Sequence, residues 1–138
     1  MINPIEHSRT KDASRKYKVE PYVIPADIYG ASNLAGRGGW TWYTGSSSWY
    51  YKAGIEYILG LKIQNEYMKI DPCIPKDWKE YQIQYKWNDS IYNIKVKNPD
   101  GKNGKNEGVT KVILDGNEVE NNIKLDGNRK VYTVELIL

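Results

Sequence analysis

Tyr81-Gln82-Ile83-Gln84-Tyr85-Lys86-Trp87-Asn88-Asp89-Ser90-Ile91-Tyr92-Asn93-Ile94-Lys95-Val96-Lys97 decides the fold class of the second half of this chain. Tyr81, Ile83, Tyr85 and Trp87 alternate with Gln82, Gln84 and Lys86, and Tyr92, Ile94 and Val96 alternate with Asn93, Lys95 and Lys97. A period of two sends apolar side chains to one face of an extended segment and polar ones to the other, the mark of half-buried antiparallel strands. Asn88-Asp89 reads as the turn between them. Asp100-Gly101, Asp115-Gly116 and Asp126-Gly127 separate later runs with a pair suited to positive φ. Val131 to Leu138 reads as a further strand, and Lys102 to Gly108 as a mobile loop. Short strands at this spacing close most readily as a small antiparallel β-sandwich, jelly-roll-like, over residues 63–138.

Residues 1–62 have a different texture, loop and helix broken by Pro4, Pro21, Pro25 and the glycines at 36–39. Trp49, Tyr50, Ala53, Tyr57, Ile58 and Leu61 recur at three- and four-residue spacing, which predicts an amphipathic helix ending near Gly60, with Ser46 to Ser48 as N-cap candidates. A second helix is expected from Pro21 to Tyr29, with Pro21 in its first turn and Pro25 disturbing its middle. Two helices and a long loop do not bury their apolar faces alone, so this half needs the sandwich or further chain to cover it. The whole reads as a fragment.

The net charge is +3, with Lys and Arg scattered among acids, which does not suggest nucleic acid. No apolar stretch approaches the ~20 residues of a membrane span, and the N-terminus does not read as a secretory leader, so a cytoplasmic location is the default expectation. Cys73, the one cysteine, has no neighbouring His or Cys and reads as a small buried side chain. No metal is expected.

Gly36-Arg37-Gly38-Gly39-Trp40-Thr41-Trp42-Tyr43-Thr44-Gly45-Ser46-Ser47-Ser48-Trp49 is the stretch with chemistry in it. Aromatic faces stack on sugar rings, hydroxyls and backbone N–H groups hold oxygens, and the start of a helix favours negative charge. Other readings are weaker. The glycines lack the Lys of a phosphate-binding Walker loop, and the serines lack the strand and the Gly-x-Ser-x-Gly elbow of a hydrolase. Glu6, Glu20, Asp27 and Glu56 show no spacing that pairs two carboxylates across a cleft.

Taken together, Asn3-Pro4-Ile5, His7-Ser8-Arg9-Thr10, Tyr17 to Val23, Gly36 to Ser46, Ile58 to Leu61 and Ile70 to Pro75 resemble the C-terminal end of the inverting glycoside phosphorylases. That family includes cellobiose and chitobiose phosphorylases. The likeness is strongest to its 1,2-β-oligoglucan phosphorylase branch and to the C-terminal region of cyclic β-1,2-glucan synthases. It implies a mixed fold in which residues 1–62 are the last helices of an (α/α)6 barrel and residues 63–138 the β-sandwich. It also implies that inorganic phosphate, a co-substrate rather than a cofactor, attacks a β-linked gluco-oligosaccharide while an aspartic acid protonates the leaving oxygen. By the same resemblance that Asp lies upstream in the barrel, so this chain holds no catalytic residue and is expected to be inactive alone. Thr44 and Gly45 match the segment that holds phosphate, with His7 and Arg37 as further candidates there and Trp40, Trp42 and Glu20 for sugar contact. The partner implied is an upstream barrel, with a homodimer left open. A carbohydrate-binding β-sandwich without chemistry is the alternative.

Overall fold

The chain divides at Lys52 and Ala53 into two units, Met1–Lys52 and Ala53–Leu138. The structure, a computed structural model, describes residues 3–20, 23–42, 44–102 and 108–138, with Pro4 and Thr44 described by their backbone alone.

The second unit opens with a π-helical segment, Ala53–Ile58, in which the Leu59 N–H donates to the Gly54 carbonyl at 2.9 Å. Eight strands follow: β1 (Leu61–Gln64), β2 (Tyr67–Ile70), β3 (Glu80–Trp87), β4 (Ser90–Lys97), β5 (Lys111–Leu114), β6 (Asn117–Val119), β7 (Ile123–Lys124) and β8 (Val131–Ile137). They form a three-stranded sheet ordered β1-β2-β7 and a five-stranded sheet ordered β3-β4-β8-β5-β6. Met68, Ile70 and Ile123 of the first sheet and Tyr92, Ile94, Val96, Val112, Val134 and Leu136 of the second belong to one buried cluster, the arrangement of a small β-sandwich. The alternation read at 80–97 is the β3–β4 hairpin, paired from Glu80↔Lys97 to Trp87↔Ser90. Among the described residues all strand pairs are antiparallel but one. β4 and β8 run parallel, Ile91↔Val131 to Lys97↔Ile137, a departure from the expected wholly antiparallel sandwich. The intervening chain, which includes β5 to β7, is long enough to return β8 in the same direction as β4.

The turns follow local backbone chemistry. Asp115 (φ 47°) and Gly116 (φ 85°) both take the left-handed conformation that a two-residue hairpin between β5 and β6 requires. Asn65 (φ 47°) and Glu66 (φ 66°) do the same between β1 and β2 without a glycine, which is why that hairpin leaves no sequence signal. At Asp126-Gly127 the positive φ falls instead on Arg129 (57°), and Asp126 takes up a side-chain contact. Its carboxylate accepts from the Tyr132 hydroxyl, and its N–H donates to the Tyr92 hydroxyl at 2.8 Å. The Tyr92 and Tyr132 rings stack at 4.7 Å.

Three other expectations are corrected here. Cys73 is exposed, because it points outward between buried Pro72 and Ile74 while its N–H donates to the Ile58 carbonyl at 2.9 Å. Helical structure over 44–58 begins at Thr44, so Ser46 to Ser48 lie inside α3 (Thr44–Lys52) rather than before it. Its apolar residues do not form one buried stripe: Trp49, Tyr57 and Ile58 are exposed, and the π-helical segment adds about one residue per turn, which breaks the 3.6 period. The expected helix at Pro21–Tyr29 does not form over Val23–Tyr29, while Pro21 and Tyr22 lie outside the described residues. Pro25 has no N–H to give a helix, and neighbouring backbone groups pair with the glycine segment instead. The interior of the loop expected at 102–108 also lies outside them.

The first unit contains α1 (Pro4–Ser8), α2 (Lys11–Tyr17) and α3. The Asn3 side chain caps α1 by accepting from the Ile5 N–H at 3.0 Å, and the Thr10 hydroxyl caps α2 through the Ala13 N–H at 3.1 Å. α2 stops at Lys18, which is left-handed (φ 58°) and donates its N–H to the Ser14 carbonyl. Between α2 and α3 the chain doubles back on itself around an isolated antiparallel bridge, Ile28↔Gly38.

Candidate functional site

The doubled-back segment puts the glycine run where it sits. The Tyr29 N–H donates to the Arg37 carbonyl, Gly39 to Asp27, and Ala26 to Trp40, at 2.9, 2.9 and 2.7 Å. This short ladder is anchored to α2 by one further bond, from the Gly38 N–H to the Tyr17 carbonyl at 2.8 Å. The glycines are there chiefly for space. A Cβ on Gly38 would come 2.6 Å from Val19 Cγ2 and 3.2 Å from Tyr17 Cε2, and one on Gly39 would meet the Asp27 carboxylate. Gly36 adds a conformational need, with φ at 87° and the Lys16 stem packed where its Cβ would be.

Tyr17 is the hub of this unit, and its role was not legible in the sequence. It is 1% exposed, the only residue of α2 that is buried. The His7 imidazole lies flat on its ring at 4.3 Å with an interplanar angle of 9°. Its hydroxyl has no hydrogen-bond partner among the described residues, and burial pushes its pKa up. Two of the expected phosphate contacts therefore connect to one residue: His7 through the ring stack, and Arg37 through the neighbouring Gly38–Tyr17 bond. The only early signal was that Tyr17 ends a short, otherwise polar helix. Asp27 was noticed only as a spare carboxylate, although its backbone and side chain both face Gly39.

The Arg37 side chain is exposed and lines a groove of about 340 Å³ with Lys16 and Lys18. Glu20 is half-buried in the loop after α2. Trp40 and Trp42 are 72% and 66% exposed, and Trp42 holds a positive φ of 64°, uncommon for so large a side chain. Trp49 and Tyr51 of α3 are exposed as well, with the Lys52 ammonium 5.6 Å from the centre of the Trp49 ring. The Thr44 side chain lies outside the described residues, whereas its backbone starts α3. Gly45 is exposed, and a Cβ placed on it would meet nothing within 4 Å. The first turn of α3 carries no acidic side chain, so nothing within that turn offsets the positive end of its dipole.

This chain belongs to the glycosyl hydrolase 94 superfamily, whose catalytic-domain description matches residues 1–60. It is 43% identical over 121 residues to a cyclic beta-(1,2)-glucan synthase of Rhizobium meliloti, covering 84% of this chain and 4% of that protein. It is 33% identical over 123 residues to an N,N'-diacetylchitobiose phosphorylase of Vibrio proteolyticus, covering 88% of this chain and 15% of that protein. A solabiose phosphorylase of Paenibacillus borealis is 29% identical over 97% of this chain and 16% of its own length. The chain thus spans a small part of the relatives it matches. No helix among the described residues is long and apolar enough to cross a membrane.

Proposed function

We propose that this chain forms the phosphate side of the active-site cleft of a carbohydrate phosphorylase acting on β-linked gluco-oligosaccharides. In this reading it is the C-terminal part of the enzyme, residues 1–62 completing an (α/α)6 barrel and residues 63–138 forming a jelly-roll-like domain. The observation that carries the reading is the start of α3 at Thr44 and Gly45, a helix N-terminus with no acidic side chain in its first turn, shortly after two exposed tryptophans. The phosphorylases among its relatives support it.

The Thr44 hydroxyl and the Gly45 N–H hold inorganic phosphate, His7 supports it, and Trp40 and Trp42 offer faces to the sugar. A phosphate oxygen attacks the anomeric carbon as the glycosidic C–O bond breaks, and a carboxylic acid outside this chain gives its proton to the leaving oxygen. Phosphate thus takes the place of the base-activated water of an inverting hydrolase, so one acid suffices. Without that acid the isolated chain performs no phosphorolysis. Exposed Trp49 and Tyr51 fit burial against barrel helices upstream.

Thr44→Val in the full-length enzyme is the test. The KM for phosphate should rise far more than the KM for the oligosaccharide, and an unchanged phosphate dependence would remove Thr44 from this role.

A second reading, a sandwich that binds sugar without chemistry, draws on a groove of about 360 Å³ where Gln64, Asn65 and Asn122 surround exposed Tyr67. Titration of the isolated chain with β-1,2-gluco-oligosaccharides separates the two readings, since saturable binding whose resonance shifts centre on Tyr67 favours the second.

A further inference from the structure

The groove that holds Arg37 is assembled from two segments distant in sequence. Lys16 and Lys18 flank Tyr17 at the end of α2, and Arg37 precedes Gly38. The Gly38–Tyr17 backbone bond brings these segments together, so all three cationic residues line one groove. Gly36 fixes the arrangement further, because the Lys16 stem runs 2.6 Å from where a Cβ would lie.

No carboxylate lines the groove, and none of the three cations is ion-paired among the described residues. Elsewhere in this unit basic side chains do pair, Arg9 with Glu6 at 3.0 Å and Arg15 with Asp12 at 3.6 Å. Lys16 and Lys18 also complement the negative end of the α2 dipole, but Arg37 has no such explanation. Holding three like charges together costs free energy unless an anion offsets it.

We infer that this groove binds a phosphorylated monosaccharide. Two ammonium groups and a guanidinium fork lining one groove match a phosphoryl dianion better than a single carboxylate. Ser32 and Asn33, which also line the groove, supply neutral donors and acceptors for sugar hydroxyls. The volume, about 340 Å³, lies at the small end of the ~300–1,000 Å³ of ligand pockets, larger than bare phosphate needs. This inference stands apart from the Thr44 reading, because none of His7, Trp40, Trp42 or Gly45 lines the groove.

The test is an amide-resonance titration of the isotope-labelled 138-residue chain with glucose 6-phosphate, against inorganic phosphate, sulfate and glucose. Saturable shifts at residues 16–18 and 32–37 are expected from glucose 6-phosphate, with sulfate binding about tenfold more weakly and glucose producing none. Lys18→Gln and Arg37→Gln should each weaken binding about tenfold, while Lys18→Arg retains it. Gly36→Ala, which displaces Lys16, should weaken it as well. Absence of saturable shifts, equal binding of sulfate, or shifts confined to His7 and Gly45 would each overturn the inference.

Discussion

Alanine at Gly38 and alanine at Gly45 are the same chemical change with opposite expected consequences. At Gly38 the added methyl lands 2.6 Å from one Val19 methyl, 3.1 Å from the other and 3.2 Å from the Tyr17 ring. Ordinary contact begins near 3.4 Å, so both neighbours must move. Tyr17 is buried, stacked on His7, and hydrogen-bonded through its own carbonyl to the Gly38 N–H, so it has little freedom to do so. Overpacking of this kind costs about 1–3 kcal/mol, and stretching the 2.8 Å bond adds up to about 1 kcal/mol. Gly38→Ala should therefore destabilise the first unit by about 2–3 kcal/mol. At Gly45 the methyl meets nothing within 4 Å, and alanine is the better helix former by up to about 1 kcal/mol, so Gly45→Ala should be neutral or slightly stabilising. Native-state amide hydrogen exchange resolves the two units. Gly38→Ala should speed exchange of the Gly38, Gly39 and Tyr29 amides while leaving β3, β4 and β8 unchanged. Equal protection in the two variants, or the larger loss at Gly45, would refute the packing argument.

Tyr17→Phe removes a buried hydroxyl that has no partner among the described residues and keeps the ring that stacks on His7, so the first unit should keep or gain stability, by up to about 1–3 kcal/mol, in the same exchange measurement. Loss of protection would mean that the hydroxyl is satisfied. In the sandwich, the Asp126 hydrogen bond, aided by desolvation, pushes the Tyr132 hydroxyl up to about 12, while the same bond holds the Asp126 carboxyl below its usual range. The tyrosine's contribution to stability is complete below its ordinary pKa of ~10 and is lost as pH rises towards about 12; that of the aspartate is complete above its ordinary pKa and is lost as pH falls through its lowered one. Tyr132→Phe should flatten both arms of the unfolding profile measured by denaturant titration. It will not abolish the alkaline arm, because burial also raises Tyr81, Tyr85 and Tyr92, but an unchanged slope would count against the Tyr132–Asp126 bond.

What could be read before the structure was whatever depends on near neighbours in the chain. Alternation at 80–97 specifies a strand pair because one face must be buried, and Asp115-Gly116 specifies a tight turn because both residues adopt positive φ readily. The likeness to glycoside phosphorylases was visible for a similar reason, since its motifs are contiguous. Elements that depend on distant partners were hidden. Val23 to Tyr29 has no marked strand pattern, and it is extended only because the glycine segment offers it backbone partners. The π-helical segment defeats a 3.6-residue reading of Trp49 to Leu61, and the direction of β8 is set by its place between β4 and β5, strands distant from it in sequence.

The site divides along the same line. Sequence alone determined that Thr44 and Gly45 follow an aromatic, glycine-rich loop and offered His7 and Arg37 as candidates for an anion. Tertiary structure alone decided that Tyr17 joins them, taking the His7 ring on its face and the Gly38 N–H on its carbonyl, and that Arg37 meets Lys16 and Lys18 at a separate groove. The physical reason is range. Helix starts, turns and alternation are settled within a few residues, whereas the His7–Tyr17 stack needs α1 and α2 to pack, and Arg37 meets Lys16 and Lys18 only after one backbone hydrogen bond has closed a loop of about twenty residues, at an entropic cost that no local pattern encodes.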